Sequence, residues 1–168
     1  MKKTLQYLNN MREAGVIGNY AVGGAMAAAF FIDPIPTFDL DVFVVLPQDA
    51  SGLLSLAPLY AHLKAAGFQE DKECVVIEGV PVQFLPAYNL LIEEALENAV
   101  EMDYDGIRMP VFSAEHLVAV AVQTGRGKDR IRAQLFADAG ILNREKLEGI
   151  LAHHGLEGKW KMWTSNPS

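Results

Sequence analysis

The chain has 168 residues, 51% of them hydrophobic and 21% charged, with a formal net charge of −7; this suits one domain with a sizeable core and excludes a general electrostatic attraction to nucleic acid. Cys74 is the single cysteine, which excludes an intramolecular disulfide, and no Cys/His spacing suits zinc, so a buried structural thiol in a reducing compartment is expected. No apolar run approaches membrane-spanning length and the polar N-terminus lacks a signal-peptide core, so a cytoplasmic protein with no membrane association is expected.

In chain order, Leu5, Leu8 and Met11 have helical spacing over residues 4–14, closed by Gly15. IGNYAV reads as a strand, Gly23-Gly24 as a turn and the alanine-rich AMAAAFFI as a helix. Pro34 and Pro36 open a loop, and DLDVFVVLP alternates like a strand against a core, closed by Pro47. Residues 51–67 have a helical pattern with a kink or break at Pro58. KECVVIE and VPVQFLP flank Gly79 as a hairpin, and residues 88–100 form an acidic amphipathic helix. IRMPVFS is a further strand, with Ser113 as N-cap of the helix AEHLVAVAVQ. Two more helices cover 127–139 and 143–154. The tail shows no clear periodicity, and its Trp160 and Trp163 are expected to cover a core edge. Strands interleaved with helices and one hairpin make an α+β fold with a mixed sheet. A single domain over 1–168 is expected, with a core of about 16–112, a helical part of about 113–155 and a tail from 156.

Side chains two apart on a strand share a face, so Asp39 and Asp41 set two carboxylates side by side while Leu40, Val42 and Val44 face the other way. Their mutual repulsion is relieved by a divalent cation, and hard oxygen ligands suit Mg²⁺ or Mn²⁺. An exposed acidic strand edge gives the same pattern, so the carboxylates alone do not decide. The preceding Gly23-Gly24 strengthens the reading, because backbone without Cβ atoms lets phosphate approach main-chain N–H groups. Thr37 adds a hydroxyl suited to a phosphate contact or to capping the loop. The basic segment GRGKDRIR, with Arg126, Lys128, Arg130 and Arg132, reads on spacing alone as a solvated helix face.

The segment GGAMAAAFFIDPIPTFDLDVFV resembles the signature of the DNA polymerase beta-type nucleotidyltransferase superfamily: a glycine turn, a helix, then Asp-x-Asp on the next strand. GVPVQFLPA, RMPVFSAEHLVAVAV and GRGKDRIRAQLFADAG follow in the order of a branch of small bacterial proteins related to abortive-infection, type IV toxin-like nucleotidyltransferases. The resemblance spans residues 16–150. It implies the nucleotidyltransferase fold, a mixed sheet flanked by helices with a C-terminal helical portion. It also implies transfer of a nucleoside monophosphate from a nucleoside triphosphate to an acceptor hydroxyl, on RNA or a small molecule. By position, Asp39 and Asp41 would bind Mg²⁺ or Mn²⁺ and act in catalysis, and Gly23, Gly24 and Thr37 would serve the nucleotide. Arg126 and Lys128 would lie near the nucleotide or acceptor, and an antitoxin-like protein partner is implied by the branch.

Two positions depart from the pattern. The hairpin strand of the family carries a third carboxylate, and the matching residue here is Gln83, which is a poor general base. Glu78, across the turn, is a conceivable substitute whose plainer reading is an exposed hairpin residue. A nucleotide-facing lysine of the helix after Ser113 aligns with Ala121. An active transferase and a catalytically weak or silent nucleotide-binding or interaction protein therefore both remain open. His62 and His116 have no evident partner in the sequence, and His153 and His154 point about 100° apart on a helix, an arrangement read as surface residues with no role.

Overall fold

The computed structural model describes residues 1–46 and 55–165. The first helix, α1 (Lys2–Glu13), buries Thr4, Leu5, Leu8 and Met11 along one stripe, and the Thr4 hydroxyl donates to the carbonyl of Ile77 at 3.1 Å. It is followed by β1 (Tyr20–Val22), α2 (Gly24–Ala28), β2 (Leu40–Val44), α3 (Ala57–Ala65), β3 (Gln69–Asp71), β4 (Cys74–Ile77) and β5 (Val80–Pro86). Then come α4 (Leu90–Glu97), β6 (Val100–Tyr104), β7 (Ile107–Val111), α5 (Ala114–Thr124), α6 (Gly127–Ala139), α7 (Arg144–His153) and α8 (Glu157–Ser165). No described helix is long and apolar enough to cross a membrane.

The strands form one mixed sheet of seven in the order β3-β4-β5-β2-β1-β7-β6. β2 runs antiparallel to β1 and parallel to β5, and β1 runs parallel to β7. Tyr20, Ala21, Val22, Leu40, Val42 and Val44 on the central strands are all buried. Burial of a Val, Leu or Ile side chain contributes about 1.5–3 kcal/mol, so this apolar centre, rather than the surface ion pairs, fixes the register on which the site depends. The helix α5 is buried on most of its surface and packs against α2, α4, α6 and α7. Its Ser113 N-cap accepts from the backbone N–H of His116.

Several elements differ from the sequence expectation. Pro58 lies in the first turn of α3, where the missing N–H costs nothing, so the proline starts the helix and does not kink it. Pro47 and residues 51–54 of that expected helix lie outside the described residues. The acidic helix stops at Glu97, and Val100–Tyr104 pairs with β7 as a second hairpin turning at Asp105-Gly106, with φ of 53° and 81°. Asp-Gly tolerates those left-handed angles and is a strong hairpin signal. The described part of the tail forms the helix α8, which buries Trp163 in the core with Trp160 packed against it.

The histidines also differ. His62 lies 3.5 Å from the Tyr7 hydroxyl. His116 is buried, with Ser113 and Glu94 as partners. His153 and His154 both reach Glu94. The expected divergence fails because His154 is the C-cap, with φ −104° and ψ 9°, and no longer follows helical geometry.

Candidate active site

Asp41 lies within β2 between the buried Leu40 and Val42, and Asp39 sits one residue before the strand begins. Alternation therefore sends the Asp41 carboxylate to the face opposite these apolar neighbours. The Thr37 hydroxyl donates to Asp39 Oδ1 at 2.8 Å, so in this structure it orients a carboxylate. In the parallel pairing of β2 with β5, Asp41 is the direct partner of Gln83. The structure thus brings Asp39, Asp41 and Gln83 together at one end of the central strands. Burial first, and then the charge of Asp39, push the Asp41 carboxyl above the usual carboxylate range, against the opposing pull of Arg132, Lys128 and Arg126.

The glycine pair is shaped by these neighbours. A Cβ on Gly23 would fall 2.5 Å from the Phe43 ring, and Phe43 is itself packed on Phe112 with ring centroids 4.8 Å apart. A Cβ on Gly24 would run into the Asp41 carboxylate, and its φ is +61°. Both the space and the backbone angle therefore require glycine at position 24. The Gly23 N–H donates to the Asp41 carbonyl at 2.9 Å, which ties the turn to the strand carrying the carboxylates.

Opposite the sheet, α5 and α6 close a cleft of about 200 Å³ lined by Gly24, Asp41, Gln83, Tyr88, Arg126 and Arg132, among others. The basic segment is thus not only a solvated face, since Arg126, Lys128 and Arg132 all act electrostatically on Asp41. Asp129, the acid that interrupts the segment, is 1% exposed. It accepts from Arg126 Nε at 2.7 Å and from the Arg126 backbone N–H at 3.2 Å, and lies 3.9 Å from Arg132. A buried carboxylate so placed orients both guanidinium groups along one wall. Arg132 Nε is buried without a hydrogen-bond partner among the described residues, and a buried unpaired guanidinium N–H is costly unless an anionic ligand takes it. Ala121 lines the same cleft without charge, and the cations come from α6 instead.

Glu78 is not at this site, being at the far turn of the hairpin and 4.0 Å from Lys3. The carboxylate that reaches Gln83 is Glu73, whose Oε2 accepts from Gln83 Nε2 at 3.2 Å. Cys74 is half-buried, not sequestered. Its thiol is pushed up by burial first and then by Asp39, Asp41, Asp71 and Glu73, which places it at the edge of the same acidic cluster. Sequence reasoning missed Tyr88 and Asp129 as cleft residues, read Arg132 only as part of a basic segment, and missed the reach of Glu73 to Gln83. Asp129 had a local signal, an acid three residues after a helix N-cap; the placement of the others follows from contacts between separate segments.

The donor set suits a divalent cation. Asp39 and Asp41 could supply hard oxygen ligands, and the Asp41 carboxyl is raised by burial first and then by the charge of Asp39, a repulsion that Mg²⁺ or Mn²⁺ would relieve. The cleft therefore sets a carboxylate, Asp41, against the guanidinium groups of Arg126 and Arg132. Among solved structures, the chain is similar to an antigenic nucleotidyltransferase-like protein from Paracoccidioides brasiliensis. That match has a TM-score of 0.56 and 14% sequence identity, covering 95% of this chain and 93% of that one. It is also similar to the solution structure of the antibiotic-resistance factor ANT(2'')-Ia, with a TM-score of 0.53, 14% identity and coverage of 98% and 95%. The crystal structure of ANT(2'')-Ia in complex with adenylyl-2''-tobramycin matches with a TM-score of 0.52, 14% identity and coverage of 93% and 98%. No protein-family model and no curated protein sequence matches the chain. The chain has the nucleotidyltransferase fold, an α+β architecture with a mixed sheet flanked by helices.

Proposed function

We propose that this protein is a metal-dependent nucleotidyltransferase that moves a nucleoside monophosphate from a nucleoside triphosphate to an acceptor hydroxyl. The observation that carries the reading is the opposition of the Asp41 carboxylate to Arg126 and Arg132 across one cleft, with Asp39 and Lys128 close enough to act on the Asp41 charge. A triphosphate needs both features, oxygen ligands for its counter-cation and fixed positive charge for its own oxygens. Mg²⁺ or Mn²⁺ held by Asp39 and Asp41 would neutralise phosphate charge and favour attack at phosphorus.

The chain's own residues do the rest. Gly24 lets the Asp41 carboxylate pack against its backbone where a Cβ would otherwise stand, and Thr37 fixes the orientation of Asp39. Arg126 and Arg132, held by Asp129, stabilise the charge that accumulates on the departing pyrophosphate. Gln83 cannot take the proton of the acceptor hydroxyl. Glu73, which accepts a hydrogen bond from Gln83, is the carboxylate on that side suited to the task.

The acceptor is a hydroxyl of RNA or of a small molecule. The net charge of −7 and the adenylyl-2''-tobramycin bound to one structural neighbour support the small molecule. A relationship to abortive-infection proteins, with an antitoxin-like partner, rests on the order of the sequence segments alone. A second reading, a silent nucleotide-binding or interaction protein, is favoured by Gln83 and by the uncharged Ala121 in the cleft. The test is pyrophosphate release from each nucleoside triphosphate with Mg²⁺, offered bulk tRNA or a panel of small hydroxyl acceptors. Release by the wild type that disappears in Asp41→Asn supports the transferase. Nucleotide binding without release by the wild type supports the silent binder.

A further inference from the structure

We propose that Glu94, His153 and His154 form a binding site for a zinc-class transition-metal cation, separate from the nucleotide cleft. The three come from two elements, Glu94 from α4 and the histidines from the C-terminal end of α7. One ligand atom from each lies within 4.8 Å of the others. Glu94 Oε2 is 3.1 Å from His153 Nδ1 and 2.8 Å from His154 Nε2. Adjacent histidines converge because one presents Nδ1 and the other Nε2, and because the chain leaves the helix at His154.

The chemistry of the set selects the ion. Two imidazole nitrogens and one carboxylate oxygen suit zinc and its neighbours and do not suit Mg²⁺, and a three-ligand set leaves an open coordination position. The His154 side chain is 8% exposed and that of His153 70%, so the site is walled on one side and open to solvent on the other. The negative end of the α7 dipole also favours a cation there.

The other carboxylate oxygen is held from outside the site. Glu94 Oε1 lies 3.3 Å from His116 Nε2, whose Nδ1 lies 2.9 Å from Ser113 Oγ. The Ser113 oxygen also accepts from Lys146 Nζ at 3.3 Å, so its proton is directed to His116 Nδ1 and the His116 Nε2–H to Glu94 Oε1. A ligating carboxylate is commonly fixed by such an outer hydrogen bond, and the arrangement leaves Oε2 facing the two imidazoles. A bound ion would pin the end of α7 to α4, whose N-cap Asn89 is joined to Gln123 of α5.

The test is calorimetric titration of the full chain with Zn²⁺, with Co²⁺ as a visible-absorption probe of the ligand set. One Zn²⁺ per chain is expected, with His153→Ala and Glu94→Gln weakening binding at least about tenfold and His116→Gln about tenfold through lost orientation of Glu94. His153 is exposed, so His153→Ala keeps the fold and the test stands even where a Glu94 variant misfolds. Asp41→Asn and Cys74→Ser should bind Zn²⁺ as the wild type does. Absence of stoichiometric binding by the wild type, unchanged affinity in His153→Ala, or loss only in Asp41→Asn or Cys74→Ser would each overturn the proposal.

Discussion

Asp41 and Gln83 are direct partners in the parallel pairing of β2 with β5, so an amide stands beside the proposed metal-binding carboxylate. The amide can lend an oxygen to a cation, but it carries no charge and takes no proton. Glu73 is joined to this position by a hydrogen bond from the Gln83 side chain.

Replacing that amide separates the two functional readings. In a working but attenuated transferase, Gln83→Asp adds a charged ligand and a base beside Asp41, and turnover measured by pyrophosphate release should rise about tenfold or more. In a dedicated binder the surrounding groups are not arranged for in-line attack, so the same change alters metal affinity without transfer. A fall in wild-type turnover on Gln83→Asp would contradict the attenuated-transferase account.

The carboxylate pair should couple metal to nucleotide. A ligand that binds only the folded state raises stability by mass action, about 2.7 kcal/mol at a hundred times its dissociation constant. Mg²⁺ with a nucleoside triphosphate should therefore raise the melting temperature of the wild type, and Asp41→Asn should abolish the rise. Equal shifts in the two proteins, read by differential scanning fluorimetry, would place the site elsewhere.

Gly24 offers a backbone test of the same contact. A methyl group there meets the Asp41 carboxylate and must be carried at φ +61°, which costs about 1–2 kcal/mol for a non-glycine residue before the clash is added. Gly24→Ala should lower the free energy of unfolding measured in urea by at least that cost and also weaken nucleotide binding. Gly79→Ala, in an open turn at φ +81° with nothing near its added methyl, controls for the backbone angle alone. Nucleotide affinity lost equally in both variants would remove the local argument.

The mixed α+β sheet, the first hairpin and the carboxylate strand of Asp41 were legible because each rests on a local signal: alternation, a turn glycine and a two-residue carboxylate spacing; the meeting of Gly24, Asp41 and Gln83 was expected from the resemblance to the nucleotidyltransferase signature. The second hairpin was also marked, by Asp105-Gly106, but the acidic helix pattern was carried to Val100 and the rest of β6 was not read as a strand. What the chain order could not supply was contact between distant segments. Glu94 is 59 and 60 residues from the two histidines it meets, and Arg132 reaches Asp41 only because α6 lies over the cleft. The helical tail had weak periodicity because Trp163 is the one buried residue of α8 among the described residues, so its fold is dictated by the surface that it covers.

A last prediction concerns Glu115, which anchors the start of α7. Its Oε1 accepts from the backbone N–H of Asn143 at 3.0 Å, and its Oε2 lies 3.2 Å from Lys146 Nζ. Burial would raise this carboxyl, but the Asn143 N–H and the Lys146 ammonium outweigh it and hold the group below its ordinary range. Because the folded form releases the proton more readily than the unfolded chain, the unfolded state binds more protons between the two pKa values, and stability rises with pH there. The contribution is complete above the ordinary glutamate value of about 4.3 and is lost as pH falls through the depressed folded value. Glu115→Gln should therefore cost about 1.5–3 kcal/mol near neutrality, the range for a hydrogen bond to a charged group. That gap should narrow as the pH is lowered below about 4, because the wild type then loses the same charge. Urea unfolding of both proteins at neutral pH and at pH about 3 reads the difference directly, and a gap that stays constant or widens on acidification would show that the carboxylate is not held by these two partners.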